Sequence, residues 1–307
     1  MTTSKKFTPN NFSPSLFLIS FLLVLQWSAC SVLDKDEPIP GYYFVGEFTL
    51  STPSDNSQGT DAHDIRDVWI EVNGKAIGVF EVPVTIPIIY DKDTNIIIVR
   101  AGIKNNGLAD KRIAYPFYTL IRDTVVRRDN QIDSIFPMVS YVSGAEFPWL
   151  EDFEDRSISM EQSGNDVTID SIGLTSDPDL VFGYNSKNLY SAVVDLDTGK
   201  QYFERSSIPT FDFPRGRAIY LEINYRCDTY AQIGLVVTNN GVLVDQIPVL
   251  LLYPNPEGWK KAYISLGEDV NNSKYAGNDF KVFLAAENNG KLDHPKLYID
   301  NIKVIHQ

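Results

Sequence analysis

Four carboxylates crowd into five positions of the stretch LEDFED: Glu151, Asp152, Glu154 and Asp155 surround Phe153. Acids so placed could form a catalytic pair, hold a cation, or simply face water. On a strand, Glu151, Phe153 and Asp155 share one face, while Leu150, Asp152 and Glu154 share the other. Glycoside hydrolysis needs two carboxyl groups opposed across a sugar at about 5–9 Å. Glu151 and Asp152 are adjacent and point to opposite faces, so the spacing argues against that chemistry. A cation site and an ordinary solvated strand start both remain open.

The far end of the chain bears on the cation. In KLYIDNIKVI, Leu297 and Ile299 are apolar at odd positions, then Ile302 and Val304 at even ones. A phase slip of one residue predicts a β-bulge at Asp300–Asn301, which re-aims a side chain. Sugar binding would call instead on aromatic platforms with polar neighbours. Trp259 and Tyr263 alternate onto one face of WKKAYISL, with Lys261 between them. That fits an exposed aromatic pair and equally a strand packed on both faces. Tyr184 and Tyr230 sit in loop-like stretches, where binding residues concentrate. The three histidines, His63, His294 and His306, show no zinc spacing or triad context, and AGIKNNG lacks the Lys-Ser/Thr ending of a phosphate loop. We therefore expect no catalytic residues and no enzyme.

The elements that must position these residues read as β almost throughout. Short β-branched and aromatic runs recur, among them YYFVGEFTL, DVWIEVN, KAIGVFEV and NIIIVRAG, then RAIYLEINYRC, AQIGLVVTN and DFKVFLAAEN. Asn-Gly pairs at 73–74, 106–107, 240–241 and 289–290 are strong hairpin signals. No amphipathic helical stripe extends over eleven residues. The fold class expected is all-β, with a small sandwich over 42–141 and a two-sheet jelly roll over 147–307.

The start of the chain is of another kind. Lys5 and Lys6 precede LFLISFLLVL (Leu16–Leu25), and small residues lead to Cys30. A basic region, a short apolar core and small residues form a secretory signal over 1–29. Ten residues rise only about 15 Å as a helix, half of a bilayer core. Residues 30–41 then read as an anchor and a Pro-containing tether. Net charge is −13, and losing Lys5 and Lys6 would take it to −15, with no basic stripe, so nucleic acid is not an expected partner. With Cys30 modified, Cys227 is left alone; its place in the alternating IYLEINYRC predicts a buried thiol.

Three resemblances add to this. WSAC resembles a bacterial lipobox with Trp27 at a usually aliphatic position, and SVLDKDEPIP resembles the export signal of Bacteroidetes-type surface lipoproteins. This implies acylation of Cys30, membrane attachment through those chains, and an outer-membrane or cell-surface location. VWIEVNGKAIGVFEVPVTIPI resembles the PEGA-type immunoglobulin-like domain through Val68–Val72, Asn73–Gly74, Gly78 and Pro83, though the family's Gly before the third strand is replaced by YDKDTN. LEDFED, YNSKNLYSAVVDL, GWKKAYISL and LYIDNIKV resemble the jelly rolls of carbohydrate-binding modules and the galactose-binding-like group. That last resemblance implies a structural Ca²⁺ on Glu154 and Asp300, with Asp152 as a third ligand and backbone carbonyls supplying the rest. It also implies a glycan or other envelope component as ligand. A structural lipoprotein that binds an outer-membrane protein, and an unrecognised hydrolase, are the alternatives.

Overall fold

A computed structural model describes residues 38–307, apart from 129, 165 and 186. The chain is all-β. Among the described residues, the helical segments are one turn at Gly267–Val270 and a 3-10 turn at Ser273–Tyr275, and no helix is long and apolar enough to cross a membrane.

The first part forms an immunoglobulin-like sandwich. One sheet orders Lys75–Glu81, Asp67–Val72 and Thr94–Lys104, with Arg112–Ala114 and Ile121–Val126 both paired to the last of these. Facing it, Gly41–Val45 lies between Val84–Ile88 and Ile132–Ile135, and Thr49–Ser51 pairs with Met138–Ser140. Alternation explains the core. Tyr43 and Val45 point inward from one sheet, Val68, Ile70 and Val72 from the other, and all are buried. Asn73 (φ 50°) and Gly74 (φ 83°) close the hairpin that the Asn-Gly pair predicts.

The second part is a jelly roll of two sheets. A six-stranded sheet orders Gly173–Thr175, Ser191–Asp195, Lys296–His306, Ile219–Cys227 and Lys260–Ser265, with Glu146–Glu151 also on Lys296–His306. A five-stranded sheet orders Met160–Gln162, Lys200–Ser207, Asp279–Asn289, Ala231–Asn239 and Val242–Leu252. Between them lie Leu221, Ile223, Ile233, Leu235, Val282 and Leu284. Cys227 belongs to this core as a free thiol, pushed up to about 11 by burial, and its S–H donates to Asn255 Oδ1 at 3.2 Å.

The outer face of the six-stranded sheet does not meet water over most of its area. Tyr220, Tyr263 and Ile305 project from it into the apolar cluster of the first sandwich. The backbone joins in: Asn106 N–H donates to the Tyr263 carbonyl at 2.8 Å, and Ser265 N–H donates to Asn106 Oδ1 at 2.8 Å. Three layers result: the first sandwich, the six-stranded sheet, and the five-stranded sheet outermost.

Two expectations change here. LEDFED is not a strand along its length. Pairing ends at Glu151, and 152–156 turn, with Phe153 (φ 62°) and Arg156 (φ 65°) left-handed. The acids themselves cause the turn, because each accepts a nearby amide. Glu151 Oε1 takes Phe153 N–H at 3.0 Å, Asp152 Oδ1 takes Glu154 N–H at 3.2 Å, and Asp155 Oδ1 takes Ser157 N–H at 2.8 Å. Of the two readings of WKKAYISL, the observed one is the strand packed on both faces. Tyr263 is 2% exposed, so it offers no exposed platform.

Candidate functional site: an open groove on the five-stranded sheet

Register decides which side chains meet on the outer face of the five-stranded sheet. Tyr202 lies opposite Glu287. The next row is Glu204, Ala285 and Gln232, and the next is Ser206, Phe283, Gly234 and Pro248. Lys281, Val236 and Gln246 follow. Small residues at the centre, Ala285 and Gly234, leave a hollow between taller neighbours. Gly234 is required there, since a Cβ would run into the Phe283 ring and the Ile247 carbonyl. Phe283 thus lies buried beneath the hollow, 1% exposed.

The groove holds about 720 Å³. One wall is formed by Ser163, Gly164, Asp166 and Thr168, tied to the sheet by Thr168 N–H donating to the Tyr202 carbonyl at 2.9 Å. Ser163 Oγ donates to Glu204 Oε1 at 2.8 Å, and Tyr202 Oη donates to the other Glu204 oxygen. Burial and the Glu204 carboxylate raise the Tyr202 phenol, which keeps it neutral and its ring fixed. Gln232, Gln246 and Glu287 line the same groove, and their side chains make no hydrogen bond to the described residues. Two free carboxamides, a free carboxylate and a fixed phenol beside the apolar Val236, Leu243 and Pro248 can exchange hydrogen bonds with several hydroxyls at once.

The acidic locus lies elsewhere, around the central strand Lys296–His306 of the six-stranded sheet. Its pairing slips between Asp300 and Lys303, opposite Asn224 and Glu222, with Asn301 at φ 49°, which is the bulge the phase slip predicts. Asp300 is fully buried. Ser191 Oγ donates to its Oδ2 at 2.5 Å and Asn301 N–H to its Oδ1 at 2.7 Å. Burial, with Glu154 and Asp152 nearby, pushes its carboxyl up to about 8 against those two hydrogen bonds. Glu154 Oε1 accepts Leu189 and Tyr190 N–H at 2.8 and 2.9 Å, and Asp152 Oδ2 accepts Asn56 Nδ2 at 2.6 Å. Among the described residues, no three His, Cys, Asp or Glu side chains gather as a metal cluster.

The remaining predicted residues scatter. Tyr184 and Tyr230 are 47% and 48% exposed, and Tyr230 meets Tyr253 edge to face at 5.4 Å. Trp259 is half-buried against Phe182 and Tyr298, with ring centroids at 5.5 and 6.4 Å. None of them lines the groove. Gln232, Gln246 and Glu287 escaped sequence reasoning, because they come from three strands and only cross-strand register unites them. Cys30 lies outside the described residues.

No protein-family model matches the chain, and no curated protein matches it. Solved structures with a similar course of strands include a Caldicellulosiruptor saccharolyticus carbohydrate-binding module in complex with mannohexaose, 16% identical over 53% of this chain and 97% of that one, TM-score 0.34. The CBM22-2 xylan-binding domain from Paenibacillus barcinonensis is 14% identical over 52% and 99%, TM-score 0.35. A third, TmCBM61 in complex with β-1,4-galactotriose, is 18% identical over 50% and 92%, TM-score 0.34.

Proposed function

We propose that this protein is a non-catalytic glycan-binding protein of the cell envelope, with its ligand along the groove of the five-stranded sheet. The observation that carries the reading is the set of unpartnered polar side chains, Gln232, Gln246 and Glu287, beside Tyr202 and the apolar Val236, Leu243 and Pro248. Polar groups of known spacing over apolar surface suit the hydroxyls and C–H faces of a saccharide. Calorimetric titration with a panel of soluble plant and microbial oligosaccharides should find a ligand. Tyr202→Ala and Gln232→Ala should each weaken it by about tenfold, roughly the loss of one or two hydrogen bonds. Binding unchanged in both variants would remove the groove from consideration.

The envelope location rests on Cys30 and its surroundings. Acylation there would hold the protein at a membrane, and Cys30→Ser should release it to the soluble fraction; retention of that variant would refute the anchor. A structural Ca²⁺ on Asp300 and Glu154, with Asp152 third and carbonyls completing the shell, belongs to the same proposal. Its support is electrostatic: buried Asp300 feels two further carboxylates, and a divalent cation would offset that charge. A protein partner in the outer membrane is a second reading. It draws on the edge strand Val242–Leu252, where Val242, Leu243, Val244 and Leu251 are exposed. Co-purification that is lost when Val244→Lys is introduced would favour it.

A further inference from the structure

The groove of the five-stranded sheet has a charge of its own. Asp166, Glu204 and Glu287 line it, with Lys200 as the one cation among the described lining residues. None of the three acids has a Lys or Arg partner at ion-pair distance among the described residues. The other basic side chains of the strands that carry Glu204 and Glu287 are engaged elsewhere: Arg205 holds Asp170 at 3.0 Å, and Lys281 holds Glu161. Glu204 is 2% exposed and accepts only hydroxyls, those of Ser163 and Tyr202. Asp166 and Glu287 are exposed. After burial, the charges of Glu204, Glu287 and Asp166 all raise the Tyr202 phenol, so the three carboxylates act on one point of the groove.

Register also sets aromatic residues on both sides of Glu287. Tyr202 is its cross-strand partner. On the other side, Tyr230 comes one position beyond the Ala231–Ala286 pair, and Glu287 N–H donates to the Tyr230 carbonyl at 3.5 Å. Tyr253 extends the row, one position beyond the Ala231–Leu252 pair, with its ring centroid 5.4 Å from that of Tyr230. Tyr253 is 66% exposed, so open aromatic surface adjoins the free carboxylate. Facing side chains on neighbouring strands start only about 5 Å apart at Cβ. A carboxylate in such a row suits an ammonium: the acid accepts a charge-assisted hydrogen bond, and tyrosine rings attract cations to their faces.

We propose, resting on the glycan reading of this groove, that its ligand is an amino sugar whose amine is free and protonated, seated at Glu287. Glu287 accepts from the ammonium, while Asp166 and the buried Glu204 add to the attraction without needing contact. Gln232 and Gln246 take the neutral hydroxyls of neighbouring sugar units. The same charges discriminate. Acetylation of the amine removes the attraction, and a uronic acid is repelled.

The test is calorimetric titration of the full chain with a fully deacetylated glucosamine tetramer, in mildly acidic buffer where its amines are protonated. Its N-acetylated counterpart, a galacturonate tetramer and tetralysine serve as controls. We expect saturable binding of the amine form, at least about tenfold tighter than the acetylated form and weakened by salt, with no binding of galacturonate. Glu287→Gln keeps the shape of the side chain and should cost the amine form about tenfold, while the acetylated form changes by less than about twofold. Equal binding of the two glucosamine forms in a Tyr202-dependent manner overturns the amine preference and leaves the groove reading standing. Absence of saturable binding of the amine form by protein with an intact thermal transition overturns this proposal, and the wider oligosaccharide panel then decides the groove reading. Tetralysine binding as tightly as the amino sugar, or an affinity unchanged in Glu287→Gln, overturns it as well.

Discussion

Asp300 is the residue through which pH reaches this fold. Its carboxyl is pushed up to about 8, chiefly by burial, against an ordinary value near 3.9. An acid raised on folding stabilises most below its unfolded value. Its contribution falls as pH climbs from about 4 to about 8 and is then gone. Lys303 works in the opposite sense. Burial lowers it to about 7, so stability from that group rises with pH above 7. The difference between the native chain and Asp300→Asn isolates the first effect. Without added metal, the native chain should lose melting temperature relative to Asp300→Asn as pH rises from about 4 to about 8. If Ca²⁺ binds, it needs the ionised carboxylate, so its protection should grow over the same range and vanish in Asp300→Asn. An EDTA-insensitive melt at pH 8 would sink the calcium proposal. Glu222 carries a second prediction at this scale. Burial opposes its charge, but Lys261 at 2.8 Å, Lys303 and the hydroxyls of Tyr115 and Tyr141 outweigh that and hold its carboxyl below the usual range. Glu222→Gln leaves two buried ammoniums without their counter-charge and should cost about 3–5 kcal/mol in denaturant unfolding. A loss under about 1 kcal/mol would mean that the cluster is better hydrated than its burial implies.

Single strands show what could be read from residue order and what could not. Asn73–Gly74 and Asn240–Gly241 close hairpins because a left-handed pair suits a two-residue turn, a rule local to four residues. The bulge at Asp300–Asn301 was equally legible, since period-two alternation breaks visibly there. LEDFED misleads as a strand because its carboxylates bond to amides two positions ahead, and alternation does not register that competition. The groove was illegible for another reason. Gln232 and Glu287 lie on different strands, and nothing local sets their register. Gly234 was a lone glycine in AQIGLVVTN until its neighbour Phe283 was known. Gly234→Ala forces the Phe283 ring or the Ile247 carbonyl aside and should destabilise by about 1–3 kcal/mol. Glycan affinity should fall with it, because the displaced ring enters the groove. Calorimetry and titration on one sample check both, and native stability in the variant would contradict the close contact.

At the scale of the molecule, the Tyr263 face is where composition was least informative. Whether that face met water or protein depended on the first sandwich closing over it. Tyr115, Tyr118 and Tyr263 interlock there, with centroids 4.7 and 5.0 Å apart, and the Tyr118 and Tyr263 hydroxyls are 3.1 Å apart. Neither sandwich can expose that surface without stranding buried charge and phenols, so the two should unfold together. Scanning calorimetry should give one transition with matching calorimetric and van't Hoff enthalpies; two resolved peaks would contradict this. The layering also sets a direction. Stacked sheets lie about 10 Å apart, and the groove is on the layer farthest from the sandwich into which Gly41–Val45 leads the chain. A protein held by its beginning would therefore present the groove outward, clear of whatever surface holds it. Were a long polymer to lie in the groove, both of its ends would continue beyond it. Neighbouring copies could then share one strand, and capture would scale with polymer length even if each copy held only a few sugars.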